Sequence, residues 1–521
     1  MSENIRSEKK TIFKTAGIIS FIALVGYPLG YLRDMLLIKK FGASSQTDAW
    51  IIASQIPDIF FKLLLFGALA ASFIPIFTEF LMQKKEKEGW DIACTMINLT
   101  VLVLGSISVL GVIGASFLIR ILSPGFSPAT QALATNLTRI VFPVVLIFGV
   151  TTFVTAIYHA HLRFVLPAFA GLLGPIVLIF FIVFLSKRMG IFSLAYGTVA
   201  GASLFLFVLI AFAYRGSPPY RFRINLKHPA IKKILILMVP LIGADLIGKG
   251  AAVIWRIFAS FLKEGSITSL TLADRVVSVP VIIFSGAIAA VIFPLLSRQK
   301  AQENIPELRD TLFLGIRMTF IIFIPATIGF MAIGKPIIRL LFERGLFSAA
   351  DTQRTATVLF FSSFGLLAYG VNPILYKTCY ALKKNWYLFK YEIIGIFLTV
   401  PLLYVFLKIM GLAGVALSAA LVRTVLVLYL CRVLSRELGG FGLKSLSTTF
   451  YKIIFSALLM GVVCYVLFSI LNNALGTATL TSQIIQVGSP ILAGAALYFG
   501  LLFLFKVREA EKLWQILTRK N

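Results

Sequence analysis

The sequence predicts an all-α polytopic membrane protein with about 14 transmembrane helices. The chain has 521 residues, of which 59% are hydrophobic and 13% are charged, and its mean hydropathy is +0.94. A soluble domain is about 25% charged, so the main solvent of this chain is lipid. Its 49 Lys and Arg exceed its 21 Asp and Glu by 28, and they form small clusters between long apolar runs. Such clusters are typical of polytopic membrane proteins, which concentrate Lys and Arg in cytoplasmic loops.

The composition argues against a soluble enzyme or a nucleic-acid-binding protein. A nucleic-acid binder of this basicity gathers its cations into a continuous face or tail with interleaved aromatic residues. Four cysteines without CxxC spacing lie in or beside apolar segments, namely Cys94, Cys379, Cys431 and Cys464. This placement favours buried thiols over a disulfide framework or a zinc site. We therefore expect no metal site, no cofactor and no nucleic-acid partner.

Fourteen windows of mostly apolar residues are long enough to span a bilayer, which takes about 20 residues. They cover approximately residues 15–37, 47–78, 92–119, 131–158, 164–185, 191–213, 232–262, 269–296, 311–333, 355–380, 386–407, 411–431, 450–471 and 486–505. The second, seventh and eighth windows contain several charges. They are included because the alternation of loops between the two sides of the membrane requires them.

Lys and Arg counts predict the orientation of these spans. Residues 1–14 are polar and basic, and the following apolar stretch continues past Arg33 without a small-residue cleavage site. It is therefore interpreted as a retained first helix and not as a signal peptide. With the N-terminus inside, the inner segments hold 29 Lys and Arg and the outer loops hold 11, when cations at span ends are counted with the adjoining loop. This excess places both termini in the cytoplasm.

The richest inner loop, residues 215–233, holds six cations and divides the first six spans from the rest. The predicted organisation is a cytoplasmic N-terminal segment (1–14), a six-helix N-lobe (15–215), a basic cytoplasmic linker (216–231), a six-helix C-lobe (232–431), a second cytoplasmic linker (432–449), two C-terminal helices (450–505) and a cytoplasmic tail (506–521).

A short repeat supports two lobes of the same orientation. Residues 67–75 (GALAASFIP) and 286–294 (GAIAAVIFP) are identical at five of nine positions, at an offset of 219 residues. Parallel repeats of this kind are a transporter architecture with the substrate path between the halves. The alternative is chance, because small-residue helix-packing sequences resemble one another.

Several charges remain inside the predicted spans, where burying one costs at least ~2.5–3.5 kcal/mol. Such groups usually face a wet cavity or a partner. The cations are Arg33, Lys62, Arg139, Lys249, Arg256, Arg275, Arg317, Lys377 and Arg423. The acids are Asp34, Asp48, Asp58, Asp245, Asp274 and Glu392. Three of these side chains, Arg317, Arg423 and Glu392, are expected to reach the membrane interface.

The charges of span two share one helix face. At about 100° per residue, Asp48, Gln55, Asp58 and Lys62 fall within an arc of about 80°. The stripe runs from Asp48 to Lys62 along the helix, which is too long for it to be an effect of the helix end. Asp58 and Lys62 also have the acid-first i,i+4 spacing that neutralises charge locally, and this remains the structural alternative.

Span seven carries a second charged stripe. Asp245, Lys249 and Arg256 fall within an arc of about 40°. Local i,i+4 neutralisation of Asp245 by Lys249 is again the alternative. It leaves Arg256 unexplained, together with Arg33 and Arg275 on the other spans.

Excess positive charge in a cavity suits an anionic ligand. Arginine in particular suits phosphate, because its planar fork gives bidentate hydrogen bonds and stays protonated. Within a membrane, a phosphate-bearing ligand with an apolar remainder is a lipid. Span one also contains Gly26, Pro28 and Gly30, where a helix can bend against a cavity. A simple packing kink is the alternative interpretation.

Several motifs of the chain resemble the MurJ/MviN family of lipid II flippases, within the multidrug/oligosaccharidyl-lipid/polysaccharide exporter superfamily. They occur in the family's order over most of the chain, and together they are more specific than any one alone. They are Leu29-Gly30-Tyr31-Leu32-Arg33-Asp34, Phe41-Gly42-Ala43, Thr47-Asp48-Ala49, Ile56-Pro57-Asp58, Gly67-Ala68 with Phe73-Ile74-Pro75, Pro124-Gly125-Phe126, Ala273-Asp274-Arg275 and Leu341-Phe342-Glu343-Arg344-Gly345-Leu346-Phe347.

The resemblance implies two six-helix lobes around a central cavity, with two further helices forming a lipid-lined groove. It implies that lipid-linked peptidoglycan precursor moves from the inner to the outer leaflet by alternating access. Family residues of functional importance carry over to Arg33, Asp48 and Arg275. Two family arginines fall on Tyr27 and Phe61 here. Lys62 is next to the second, about 100° away around the helix.

The sequence thus predicts a flippase of the bacterial inner membrane, not an enzyme, whose cargo is lipid II. Arg33, Arg256, Arg275 and Lys62 are the predicted diphosphate-binding residues. Three others are predicted to be gating or ion-linked, namely Asp48, Asp245 and Lys249. The resemblance also makes cell-wall synthesis proteins candidate partners, and the oligomeric state is not predicted.

Four alternatives compete with lipid II transport. A membrane-embedded transferase needs clustered Asp for magnesium diphosphate, and the sequence has no DxxxD or DDxxD cluster. A cation antiporter needs an acidic cavity, whereas cations outnumber acids in these spans. Export of another polyprenyl-diphosphate-linked saccharide and a non-transporting scaffold both remain open.

Overall fold

A computed structural model of the chain describes residues 2–64, 68–213, 220–440, 443–476 and 479–507. Within these ranges all regular secondary structure is helical. The all-α class predicted from the sequence is confirmed. The chain forms two compact units, Met1–Gly265 (unit 1) and Ser266–Asn521 (unit 2).

Unit 1 contains the first twelve α-helices, with a short π-helical segment at Phe181–Leu185. They are α1 (Ser2–Phe41), α2 (Ser45–Leu64), α3 (Ala68–Met82), α4 (Glu86–Ile113), α5 (Ala115–Leu122), α6 (Pro128–Val141), α7 (Val144–Ala160), α8 (Val165–Ala170), α9 (Leu173–Phe180), α10 (Ser186–Met189), α11 (Phe192–Ala213) and α12 (Pro229–Ala259).

Unit 2 contains the remaining helices, with a second π-helical segment at Val281–Ser285. They are α13 (Ser266–Pro280), α14 (Gly286–Ala301), α15 (Ile305–Phe342), α16 (Ala349–Ser363), α17 (Leu366–Ala381), α18 (Asn385–Met410), α19 (Leu412–Glu437), α20 (Leu443–Leu475) and α21 (Leu480–Leu504).

Eleven helical segments in the described ranges are long and apolar enough to cross a membrane. They are Gly17–Phe41, Glu86–Ile113, Pro128–Ala160, Val165–Met189, Phe192–Phe212, Ser266–Ala301, Ile305–Phe342, Asn385–Met410, Leu412–Glu437, Phe450–Leu475 and Leu480–Leu504. A twelfth is the pair Ala349–Ser363 and Leu366–Ala381, bent by 47°. The count of fourteen stays a prediction, because the second and seventh windows include residues or side chains outside the described part of the chain.

The core of unit 1 forms where α3 packs against α7 and α12. The buried ring of Phe73 lies 5.2 Å from that of Phe77 and 5.5 Å from that of Phe153. Helix α12 also packs against α2 and so belongs to this unit. The boundary between the compact units therefore lies at Gly265, after α12, whereas the sequence places its linker at 216–231. The division into lobes by order of spans stays a prediction.

The core of unit 2 centres on α15, which packs against α14, α16, α17 and α20. The last two helices, α20 and α21, pack against each other and against α15. The buried Tyr498 donates a hydrogen bond to the carbonyl oxygen of Ile321 at 2.8 Å. Lys452 donates to the carbonyl of Phe505 at 2.8 Å, where α21 has ended. The first bond holds the C-terminal helix pair to α15, and the second joins the two helices of the pair to each other.

Candidate functional site

Arg33 is bound to its own chain neighbour on α1. Its Nη2 and Nε both donate to Oδ1 of Asp34, at 2.7 and 2.9 Å. The Arg33 side chain is half-buried and Asp34 is buried. Adjacent helical residues normally point about 100° apart, so both side chains turn toward each other to make this contact. The pair neutralises much of the positive charge, while Arg33 Nη1 makes no hydrogen bond within the described ranges.

The predicted bend in span one lies inside an uninterrupted helix, because α1 continues through Pro28 to Phe41. A Cβ added at Gly26 would lie 3.3 Å from Cδ2 of Leu172, between α8 and α9. The glycine therefore lets α1 pack closely on that segment. Tyr27, the position where the resemblance implies a family arginine, is 53% exposed. A bending role for Gly26, Pro28 and Gly30 stays a prediction.

Asp48, near the start of α2, binds a main-chain group far away in the sequence. Its carboxylate is buried, and Oδ2 accepts a hydrogen bond from the N–H of Gly265 at 2.7 Å. Thr47 Oγ1 donates to the carbonyl of Gly42 at 2.7 Å and fixes the turn before the helix. Asp48 therefore joins α2 to the segment after α12, within unit 1.

Two close backbone approaches complete this contact. Gly265 has φ of +80°, and an added Cβ would lie 2.2 Å from the carbonyl oxygen of Ala43. Gly125 donates its N–H to Ser260 Oγ at 3.1 Å, and its added Cβ would lie 2.5 Å from the carbonyl oxygen of Ser260. We call residues 42–48, 123–127 and 260–265 the Asp48 cluster. Any larger side chain at either glycine would force these segments apart.

The two predicted charged stripes are only partly visible. The side chains of Asp58, Lys62, Asp245 and Lys249 lie outside the described residues, as does that of Phe61. Arg256 is half-buried in the last turn of α12, and its carbonyl oxygen accepts the N–H of Ser260 at 3.0 Å. Arg256 therefore lies one helical turn before Ser260, the first residue of the 260–265 segment of the Asp48 cluster.

Arg275 lies on α13 in unit 2, beside Asp274, and both residues are exposed. The carbonyl oxygen of Arg275 accepts a hydrogen bond from Ser278 Oγ at 2.7 Å. Among the predicted diphosphate-binding residues, Arg33 and Arg256 belong to unit 1 and Arg275 to unit 2. An exposed arginine on a membrane-spanning helix is the feature expected of a group that faces water or an anionic ligand.

Unit 2 also contains a polar network that the sequence interpretation missed. Arg423 on α19 donates from Nη1 to the hydroxyl of Tyr391 at 2.9 Å, and its guanidinium lies 5.5 Å from the ring centroid of Tyr369. The Tyr391 hydroxyl donates onward to Oδ1 of Asn372 at 2.7 Å. Nearby, Tyr376 donates to Oε1 of Glu392 at 2.5 Å.

The expectation that Arg423 and Glu392 reach the membrane interface stays a prediction. Both side chains are half-buried, and each makes a hydrogen bond to a tyrosine of unit 2. A sequence signal for this network exists on α17. Tyr369, Asn372 and Tyr376 are spaced i, i+3 and i+7, which places them on one helix face.

The sequence of this chain is similar to that of known proteins over most of its length. Residues 37–485 match the family described as lipid II flippase MurJ. Lipid II flippase MurJ of Burkholderia cenocepacia is 29% identical over 422 residues, which cover 78% of this chain and 80% of that protein. Probable lipid II flippase MurJ of Bdellovibrio bacteriovorus is 27% identical over 525 residues, which cover 98% of each chain.

Two solved structures have the same fold. A lipid II flippase MurJ in an inward closed conformation gives a TM-score of 0.79 at 25% identity, over 94% of this chain and 98% of that one. An inward-facing MATE family transporter gives 0.61 at 15% identity, over 80% of this chain and 94% of that one. The helices that are long and apolar enough to cross a membrane thus define a multi-pass helical membrane protein. The chain belongs to the lipid II flippase MurJ family.

Proposed function

We propose that this protein translocates lipid II from the inner to the outer leaflet of the bacterial cytoplasmic membrane. The main support for this proposal is the family match over residues 37–485, a range that includes most of the charged helices. The excess of 29 inner over 11 outer Lys and Arg supports cytoplasmic termini. Lipid II has a diphosphate that must cross the apolar core, and arginines on the spans are the chemistry that stabilises it there.

The proposed diphosphate-binding residues are Arg33, Arg256 and Arg275, with Lys62 as a further cation. Arg33 supports the proposal because its free Nη1 leaves a donor for phosphate while Asp34 holds the side chain in place. Arg275 supports it because the side chain is exposed on a helix of a spanning segment. Arginine also keeps its charge at every working pH, so binding does not depend on a titration.

We propose Asp48 as a gating residue in an alternating-access cycle. Its buried hydrogen bond to the Gly265 N–H ties together turns that the proposed topology places at the outer face. A charge-assisted bond of this kind contributes about 1.5–3 kcal/mol, enough to bias one state and weak enough to open in a transport cycle. Asp245 and Lys249 are proposed as further gating or ion-linked groups on α12.

The function is tested by rescue of a strain depleted of its own lipid II flippase. The wild-type chain is expected to restore growth. Arg33→Ala and Arg275→Ala are expected to fail at normal expression, because each removes a phosphate donor. Arg188→Ala is the matched control, since Arg188 is an exposed cation on the short helix α10, outside the proposed site.

Arg275→Lys separates charge from geometry, since lysine keeps the charge and loses the bidentate fork. We expect partial rescue by this variant. Full rescue by both alanine variants would contradict the assignment of Arg33 and Arg275 to diphosphate binding. If the well-expressed wild-type chain fails in this strain but rescues a strain that cannot export another polyprenyl-diphosphate-linked saccharide, the transported substrate is that saccharide and not lipid II.

A further inference from the structure

Residues 220–228, which precede α12, have a regular alternation of side chains. The even positions from 220 to 226 have exposed aromatic or aliphatic side chains, with Tyr220, Phe222, Ile224 and Leu226 at 57%, 76%, 38% and 55% of full exposure. Cations occupy positions 221, 223 and 227 among the odd ones. The segment therefore presents aromatic and aliphatic groups interleaved with positive charge.

Specific bonds hold this segment on the first half of α4. The side chain of Asn98, which is buried, donates from Nδ2 to the carbonyl of Arg223 at 2.9 Å and accepts from the Tyr220 hydroxyl. Arg223 forms an ion pair with Asp91. A loop that serves only to set membrane orientation needs cations but none of these bonds. The fixed conformation is what keeps the apolar side chains exposed.

His228 anchors the far end of the segment. Its Nδ1 accepts the N–H of Ala230 at 3.1 Å and so caps α12, while Nε2 lies 3.0 Å from Oε1 of Glu88. Because Nδ1 accepts, the ring proton is on Nε2 and is donated to Glu88. The segment is thus fixed at both ends, to α4 at one end and to the start of α12 at the other.

Two cations of the segment remain for an external ligand. Within the described part of the chain, neither Arg221 nor Lys227 has an acidic partner. Both are exposed, and Lys232 and Lys233 add two further exposed cations near the start of α12. Exposed cations beside exposed apolar side chains match the boundary of an anionic lipid leaflet, where headgroup phosphates lie above acyl chains.

We propose that residues 220–228 bind anionic phospholipid of the cytoplasmic leaflet. Arg221 and Lys227 contact the headgroup phosphate, and Phe222, Ile224 and Leu226 enter the boundary between headgroups and acyl chains. The leaflet follows from the predicted cytoplasmic position of this loop, so the inference rests on the orientation given under the proposed function and not on lipid II transport itself. Bound lipid at this site holds the start of α12 at a fixed depth in the membrane.

The test measures retained lipid on the full-length protein by native mass spectrometry. The protein is reconstituted in equal amounts of phosphatidylglycerol and phosphatidylcholine, and the ratio of the two lipids that stay bound is compared between variants. For Arg221→Gln with Lys227→Gln, the preference for phosphatidylglycerol is expected to fall about 30-fold, since a cation near an anionic surface contributes about five-fold. Phe222→Ser with Leu226→Ser is expected to lower retention of both lipids.

The matched control is Lys187→Gln with Arg188→Gln, which removes two exposed cations of α10 on the proposed outer side. It is expected to leave the lipid ratio unchanged. Equal ratios for the wild type and the Arg221/Lys227 variant would overturn the proposal, as would an equal loss in the control.

The lipid measurement is independent of lipid II transport. If retention depends on Arg221 and Lys227 in a protein that moves no lipid II, the surface stands and the proposed function fails. If the protein moves lipid II and lipid retention does not depend on these residues, the proposed function stands and the lipid-binding surface fails.

Discussion

Single charged groups in this protein are bound by close neighbours. Arg33 is paired with Asp34, and Asp48 is paired with a main-chain N–H. A charge in a lipid-spanning protein is costly to bury alone, so each needs a partner with well-placed donors or acceptors. Pairing of this kind keeps a charge available in the membrane for a ligand or a conformational switch.

The bond between Asp48 and Gly265 has a direct test. In Asp48→Ala the Gly265 N–H loses its acceptor and is left buried, so we expect a loss of about 1–3 kcal/mol in the free energy of unfolding. Thermal unfolding of the purified protein in detergent measures it. Asp48→Asn, which keeps an acceptor oxygen without the charge, is expected to lose less. Equal stability of wild type and Asp48→Ala would contradict the contact.

The sequence predicts that the Asp48 carboxylate needs a partner, whereas the identity of that partner was not predictable. A carboxylate in an apolar helix signals a partner or a cavity. The partner lies 217 residues away along the chain and is a backbone group, which leaves no side-chain pattern to detect. The positive φ of Gly265 also follows from tertiary packing against Ala43.

At the scale of elements, α17, α18 and α19 are joined by polar groups as well as by apolar packing. Tyr391 is fully buried and bridges Arg423 on α19 to Asn372 on α17. Both of its partners would lose a hydrogen bond together if the hydroxyl were removed. The network therefore fixes the relative rotation of three helices whose apolar surfaces alone allow several.

Tyr391→Phe tests this network. The ring still fills its space, but Arg423 and Asn372 lose their shared partner, so we expect a loss of about 1–3 kcal/mol in unfolding free energy. Denaturation followed by near-ultraviolet circular dichroism measures it. Tyr404→Phe on the same helix is the matched control, because Tyr404 is exposed and its ring contact with Lys408 survives. A loss as large in the control would show that the network adds nothing.

Apolar helices were the most predictable elements, because hydropathy over a span-length window decides them. Helix α12 was less so. Its sequence position assigns it to the second half, and its packing on α2 and α3 assigns it to unit 1. Only tertiary contacts distinguish these assignments. The polar face of α17 was visible as a helical spacing, although the residues that complete it come from α18 and α19.

At the scale of the whole molecule, composition and motif order were sufficient for the class and the family. The confirmed features are the all-helical membrane fold and membership of the lipid II flippase MurJ family. The net charge of +28 divides into a loop bias that predicts orientation and a small intramembrane excess that predicts an anionic cargo. The departures at Tyr27 and Phe61 leave Arg33, Arg256 and Arg275 as the arginines of the proposed site.

Transport of lipid II by the purified protein in vesicles tests the central claim most directly. Vesicles containing lipid II and the protein are probed with a reagent that reacts only with headgroups in the outer leaflet. The wild-type protein is expected to raise the reactive fraction above that of protein-free vesicles. Arg33→Ala with Arg275→Ala is expected to slow this by about 100-fold or more, since hydrogen bonds to charged groups contribute about 1.5–3 kcal/mol each. Arg188→Ala is expected to match the wild type. A reactive fraction no higher with folded wild-type protein than without it would contradict the account.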